Sequence, residues 1–151
     1  MLVLDIEATG VQAEMHSIVS IGALDFDNPE HRFYGECRAW DDAHIMEDAL
    51  AVNGFTMEQV TDPTKMSEAE LVTQFLEWSQ HIADRTITGQ NPSFDRDFLR
   101  AAAHRAGRRL APAPRRGDER IRRLRALARA PPLGPAARDA SRRRADPRAG
   151  A

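Results

Sequence analysis

The chain has 151 residues, 42% of them apolar, which is enough for one domain with a single core. Its mean hydropathy is negative, and no apolar run approaches the roughly 20 residues of a membrane-spanning helix, so we expect no membrane contact. No basic, apolar leader precedes the first acid, and Cys37 is the sole cysteine, which rules out an internal disulfide. Both features predict a cytoplasmic protein.

Charge is divided unevenly along the chain, although the formal net charge is only −2. Residues 1–104 contain 19 acids against 6 bases, a balance of −13, whereas residues 105–151 contain 15 arginines against 4 acids, a balance of +11. This asymmetry predicts two regions, a folded domain over residues 1–106 and an Arg/Ala/Pro-rich tail over residues 107–151.

The composition of the tail is too simple to build much of a core. Of the 47 residues after His104, 37 are Arg, Ala, Pro or Gly. We expect disorder, apart from an Arg-rich helix over residues 118–130. The four amino acids also have the codons richest in G and C, so one hypothesis is an out-of-frame reading that starts near Gly107. The alternative is a genuine basic arm that binds phosphates.

Three strands are predicted at the start of the chain. Residues 2–7 place Leu2, Leu4 and Ile6 on one face and Val3, Asp5 and Glu7 on the other, as in a half-buried strand. Apolar runs predict further strands over residues 17–26 and 32–39, and Asp-Asn-Pro at residues 27–29 predicts the turn between them. The three strands should form an antiparallel meander.

Helical patterns follow the strands. Short helices are predicted around residues 46–52 and near residues 57–60. The sequence Ser67-Glu-Ala-Glu70 is a capping box, and the apolar spacing behind it predicts a third helix that runs to about Ala83.

The last predicted elements are a strand and a helix. Residues 86–90 predict a short buried strand, which should join the first strand in parallel. Asn91 at the N-cap and Pro92 at the first position begin another helix. This order of elements predicts an α/β domain with a mixed sheet flanked by helices.

Asp5 and Glu7 are the first candidates for chemistry. They stand at positions i and i+2 of one strand, so both side chains project from the same face. Two such carboxylates repel each other unless a cation holds them or one is protonated, and hard ions such as Mg²⁺ or Mn²⁺ prefer oxygen ligands. The alternative is a pair of solvated acids at a strand end.

Asp95 is the third candidate. It lies in the first turn of the last predicted helix, where a carboxylate also stabilises the helix dipole by roughly 0.3–1 kcal/mol. Taken alone, Asp95 would therefore be interpreted as a capping charge. Asp97 points about 200° further around the helix and cannot share a site with Asp95.

Together these segments resemble the motifs of DEDD-superfamily 3′-to-5′ exonucleases. Residues 5–10 (Asp-Ile-Glu-Ala-Thr-Gly) are similar to the first motif, and residues 91–95 (Asn-Pro-Ser-Phe-Asp), with Phe-Leu at 98–99, to the second. Residues 18–22 (Ile-Val-Ser-Ile-Gly) resemble the second strand of that group, which includes proofreading subunits, ribonuclease T and oligoribonuclease. The resemblance covers about residues 1–106 and implies a ribonuclease H-like fold.

The resemblance also implies a mechanism, with two Mg²⁺ or Mn²⁺ ions as cofactors. Asp5 would bridge both ions, Glu7 would bind the ion on the nucleophile side and Asp95 the ion on the leaving-group side. The substrate would be the 3′ end of single-stranded RNA or DNA, cleaved to nucleoside 5′-monophosphates. A homodimer is a further option. The residues expected to line the terminal nucleotide are Ala8, Thr9, Asn91 and Phe94.

The sequence departs from the family pattern at the third motif. That motif, His-x4-Asp or Tyr-x3-Asp, supplies the general base and the last metal ligand. No His follows His104 and no Tyr follows Tyr34, so the C-terminal part of the fold is expected to be incomplete or atypical. Three hypotheses stay open: an exonuclease truncated here, a catalytically dead nucleic-acid-binding protein that uses the Arg-rich tail, and a small adaptor domain with fortuitous acids.

Overall fold

Four strands and four helices make up residues 1–110, the part of the chain that the computed structural model describes. The strands are β1 (Leu2–Ala8), β2 (Ile18–Asp25), β3 (Asn28–Glu36) and β4 (Ile87–Thr88). The helices are α1 (Glu47–Asn53), α2 (Met57–Thr61), α3 (Glu68–Ser79) and α4 (Pro92–Arg105). The predicted helix over residues 118–130 lies outside this range, as does the predicted disordered or out-of-frame tail except for its first four residues, 107–110.

The strands form one mixed sheet in the order β3-β2-β1-β4. β1 pairs antiparallel with β2, β2 pairs antiparallel with β3, and β4 lies parallel to β1. The predicted meander, with a later strand added in parallel, is therefore confirmed.

One face of the sheet carries the main core. The alternation in β1 buries Leu2, Leu4 and Ile6 against α3 and α4, whose largest buried side chains are Phe75 and Phe98. Burial of each such side chain contributes roughly 1.5–3 kcal/mol. The opposite face of β1 carries Val3, Asp5 and Glu7, none of which is fully buried.

The turn predicted at residues 27–29 is wrong. β3 already begins at Asn28, so only Phe26 and Asp27 form the turn, and the strand ends at Glu36 rather than at residue 39. Pro29 is tolerated because β3 is an edge strand of the sheet, where its missing N–H breaks no ladder.

The ends of two other elements also differ from the prediction. α3 begins at its capping box as predicted, with Ser67 at the N-cap, but ends at Ser79 instead of near Ala83. The chain turns there because it must return to the sheet, although Ile82 beyond the helix is still buried. β4 is only two residues long and half-buried, not a five-residue buried strand.

α4 ends with a glycine in the left-handed region. Gly107 has φ 67°, and the N–H of Arg108 donates to the carbonyl of Ala103 at 2.8 Å, the pattern of a Schellman cap. Leu110 packs against the main core beyond it. None of the helices within residues 1–110 is both long enough and apolar enough to span a bilayer.

Candidate active site

Asp5, Glu7 and Asp95 meet where β1 runs past the start of α4. Asp5 is exposed, Glu7 is half-buried and Asp95 is only 3% exposed. The backbone N–H of Ile6, between the two strand acids, donates to Oδ1 of Asp95 at 3.1 Å. This bond joins residues 89 apart in sequence and fixes the third acid beside the first two.

Gly89, just after β4, lets α4 start this close to β1. A Cβ at this position would lie 2.4 Å from the carbonyl oxygen of Leu4 and 3.5 Å from Oδ2 of Asp95. Any larger residue would therefore push the two backbones apart. Sequence reasoning missed Gly89, although a glycine at a strand end is a known sign of close backbone approach.

Burial and mutual repulsion disfavour the charged forms of two of the acids. Burial raises the pKa of Asp95 to about 6; the hydrogen bond from Ile6 opposes this rise and the charge of Asp5 adds to it. Burial also raises the pKa of Glu7, and the charges of Asp5 and Asp95 raise it further. The three carboxylates therefore interact electrostatically, as expected of groups that share a site.

The three acids offer carboxylate oxygens, the ligands that a hard divalent cation prefers. Burial makes the charged forms of Glu7 and Asp95 energetically costly. A bound cation would offset the free-energy cost of burying these charges and the repulsion between them. Within residues 1–110, however, no three His, Cys, Asp or Glu side chains are already arranged as ligands of a single ion.

Ala8 and Thr9, predicted to line the substrate, lie below the surface. Thr9 is fully buried, its hydroxyl donates to the carbonyl of His44 at 2.7 Å, and it accepts from the N–H of Ser17 at 2.9 Å. The carbonyl of Ala8 accepts from Nδ2 of Asn53 at 3.0 Å. Both residues thus brace the end of β1, and no sequence signal had indicated Asn53.

Asn91 and Phe94, the other predicted substrate residues, flank Asp95 on α4. Asn91 occupies the N-cap position but its side chain caps no helical N–H; its Oδ1 accepts from the hydroxyl of Ser93 at 3.1 Å. Phe94 is half-buried and stacks on Phe98, with ring centroids 4.5 Å apart. Of the two, Asn91 is the more exposed to an incoming ligand.

Asp97 lies outside the acid cluster, as predicted from its position on the helix. Its Oδ1 forms ion pairs with Arg96 at 3.4 Å and with Arg100 at 3.1 Å. The acid thus belongs to a charged outer face of α4.

Comparison with known proteins identifies the family of the chain. A family model described as an exonuclease (RNase T) matches residues 2–134, most of the chain. The chain belongs to the RNase T exonuclease family. The DEDD-type family predicted from the two motifs is therefore confirmed. The match extends beyond residue 106, where the predicted domain ended. A search of curated proteins found no match.

The fold of this exonuclease-family chain is also that of exonuclease I. A product-bound structure of exonuclease I aligns with a TM-score of 0.59 at 19% identity, over 72% of this chain and 26% of that one. E. coli exonuclease I in complex with a dT13 oligonucleotide gives 0.61 at 19%, over 72% and 24%. The zinc-bound E. coli exonuclease I–ssDNA complex gives 0.60 at 19%, over 72% and 24%. The chain therefore spans about a quarter of the length of these proteins.

Proposed function

We propose that this chain derives from a metal-dependent 3′-to-5′ exonuclease that removes nucleoside 5′-monophosphates from single-stranded nucleic acid. The observation that carries this proposal is the bond from the Ile6 N–H to Asp95, which holds a buried acid beside Asp5 and Glu7. Burial raises the pKa of the Asp95 carboxyl to about 6, so its charged form is costly, and a bound cation would offset that cost; this favours a ligand role.

Asp5, Glu7 and Asp95 would hold two Mg²⁺ or Mn²⁺ ions. Bound divalent ions would activate a water molecule and neutralise the charge that develops on the scissile phosphate. Asp95 contributes a preset orientation, because one of its oxygens is fixed by β1. Ala8 and Thr9 would shape one wall of the site from behind, and the other wall would come from the start of α4, at Asn91 and Phe94.

The proposed substrate is single-stranded. Structures of exonuclease I hold a dT13 oligonucleotide or single-stranded DNA, which makes DNA the first substrate to test and RNA the second. Residues 1–104 carry a balance of −13, which argues against a long duplex footprint because such a footprint needs a basic stripe. A short 3′ end needs only local positive charge at the site.

A second candidate function is nucleic-acid binding without cleavage. It is favoured by one observation, the absence of His-x4-Asp and Tyr-x3-Asp from the sequence after the second motif. A missing general base costs about 10²–10⁴ in rate. Binding through the Arg-rich tail would not depend on Asp5 and would weaken steeply with salt.

The deciding experiment uses a 5′-labelled single-stranded oligonucleotide with Mg²⁺ or Mn²⁺. We expect slow shortening from the 3′ end, abolished by EDTA and reduced about 100-fold or more by Asp5→Ala, because a shared metal ligand supports several kcal/mol of transition-state stabilisation. Asp97→Asn is the matched control and should leave the rate unchanged. Cleavage indifferent to both EDTA and Asp5→Ala would overturn the exonuclease, and salt-sensitive binding without cleavage would favour the second candidate.

A further inference from the structure

The acid-bearing face of the sheet continues from the candidate site across three strands. In the strand register, Asp5 on β1 pairs with Gly22 on β2, and Gly22 pairs with Tyr34 on β3. Residues paired in this way point to the same face. Since neighbouring strands lie about 4.8 Å apart, the Cα atoms of Asp5 and Tyr34 are separated by about 10 Å across the sheet.

Gly22 leaves the middle of this row open. A Cβ added there would meet only the carbonyl oxygen of Asp5 within 4 Å, at 3.9 Å. No side chain therefore rises between the acid and the tyrosine, and a ligand can lie flat on the backbone between them. We call the row Asp5, Gly22 and Tyr34 the open row.

Tyr34 ends the open row as an exposed but restrained aromatic ring. It is 69% exposed, while its hydroxyl donates to Oε1 of Glu36 at 2.8 Å. Glu36 is held in turn by Lys65, whose Nζ lies 2.7 Å from Oε2. The ring is thus tethered at its polar tip, so an incoming flat ligand costs little additional side-chain entropy.

The charges around Tyr34 decide which part of a nucleotide could lie there. Glu36 and Glu7 place negative charge near the ring: the bond to Glu36 is the main cause of the raised pKa of Tyr34, and the charge of Glu7 adds to it. Phosphates are repelled by such a surface, whereas a neutral base is not. An aromatic face binds bases of any sequence by stacking.

We propose that Tyr34 is a substrate-binding residue whose ring stacks on a base of the single strand, upstream of the 3′ end held at Asp5, Glu7 and Asp95. The proposal rests on the proposed function, because it takes the acid cluster as the place of the 3′ end. In this proposal β3 helps to hold the nucleic-acid strand in place while terminal nucleotides are removed from its 3′ end.

The test compares Tyr34→Ala with Tyr34→Phe by fluorescence anisotropy of a labelled ten-nucleotide oligodeoxythymidylate in Mg²⁺, with cleavage-resistant phosphorothioate linkages at its 3′ end. Stacking contributes about 1–3 kcal/mol per base, so Tyr34→Ala should weaken binding by about 5-fold to 150-fold. Tyr34→Phe keeps the ring and should bind within about 2-fold of the unchanged protein. Equal losses in both variants, or no loss in either, would overturn the assignment.

Two controls separate stacking from a structural effect. Phe26→Ala removes another exposed aromatic ring, 52% exposed in the β2–β3 turn at the opposite end of β1 from Glu7, and should not alter binding. An abasic oligonucleotide offers phosphates without bases, so Tyr34→Ala should not change its affinity. A loss of abasic binding in Tyr34→Ala would contradict stacking.

The same measurements distinguish this inference from the proposed function. Tyr34-dependent binding without any metal-dependent cleavage would overturn the exonuclease but support the stacking role. Cleavage that needs Asp5 but keeps its rate and apparent affinity in Tyr34→Ala would support the exonuclease and overturn the stacking role. An unchanged protein that does not bind the oligonucleotide at low salt would overturn the stacking role.

Discussion

Asp95 connects the stability of the fold to its proposed chemistry. The pKa of its carboxyl is about 6 in the folded chain, against about 3.9 in an unfolded one. The folded state therefore binds a proton more tightly, so the metal-free protein should become more stable as pH falls from 8 through 6 toward 5. By linkage the gain is about 1–3 kcal/mol, a rise of several degrees in Tm, to be measured by circular dichroism in EDTA.

Asp95→Asn is the variant that isolates this effect. The amide oxygen can still accept from the Ile6 N–H, but the side chain no longer titrates. We expect Asp95→Asn to have a higher Tm than the unchanged protein at pH 8 and a much flatter pH profile, with Glu7 leaving a small slope. Parallel profiles for the two proteins would contradict the assignment of the shift to Asp95.

The sequence could predict which acids belong to the site, but not how deeply each is buried or how its pKa is shifted. The spacing of Asp5 and Glu7 on a strand requires a shared face, and the structure agrees. Asp95, in contrast, has the sequence appearance of an exposed capping charge. Its burial depends on Gly89 and on a bond to a residue 89 positions away, which no local pattern records.

At the scale of elements, Arg105 at the end of α4 forms a hydrogen-bonded ion pair that connects α4 to other parts of the fold. Its Nε and Nη2 donate to the two oxygens of Glu68 at 2.8 and 2.9 Å, and its Nη1 donates to the carbonyl of Ala13 at 2.9 Å. Glu68 is 3% exposed and also accepts from the N–H of Ile18 at 2.9 Å. One pair thus ties the end of α4 to the start of α3, to β2 and to the loop after β1.

Arg105→Lys should be costly because an ammonium group cannot reproduce the bidentate geometry. We expect a fall of roughly 1–3 kcal/mol in the free energy of unfolding, and about 3–5 kcal/mol for Arg105→Ala, which leaves a buried charge unpaired. Urea denaturation measures both. Arg100→Lys, in an exposed pair with Asp97, is the control and should change stability by less than about 0.5 kcal/mol. Similar losses for the two lysine variants would refute the bidentate role.

The elements themselves were largely predictable, because capping boxes and apolar periodicity are local signals. Ser67 and Pro92 begin α3 and α4 where the sequence predicts. Arg105 fell within the predicted domain of residues 1–106, but its role was not predictable, since its partner Glu68 lies 37 residues away in sequence. The end of α3 was missed because the need to return to β4 is a property of the sheet.

At the scale of the whole molecule, the β4 edge of the sheet has little covering structure among residues 1–110. β4 is a two-residue edge strand, and beside it lies a groove of about 390 Å³ with mixed apolar and polar lining. The groove is lined in part by Leu2, Phe75, Leu76, Ile87, Leu99 and Leu110. Leu76, Ile87 and Leu110 are only partly buried there, so the part of their surface that faces the groove contributes no burial free energy.

Because this groove is open among residues 1–110, we expect a fragment of these residues to be marginally stable, with a broad thermal transition below about 55 °C in far-UV circular dichroism. A sharp melt above that temperature would contradict the expectation. The order of the strands and the mixed sheet could be predicted from the sequence of elements. The domain boundary after residue 106 stays a prediction, and the family match runs on to residue 134.

The bond between Ile6 and Asp95 also has a consequence during biosynthesis. A ribosome adds about 5–20 residues per second, so Asp95 is made roughly 4–18 seconds after Ile6. Throughout that interval the nascent polypeptide carries Asp5 and Glu7 without their third carboxylate. The acid cluster thus cannot assemble until most of residues 1–110 have been synthesised.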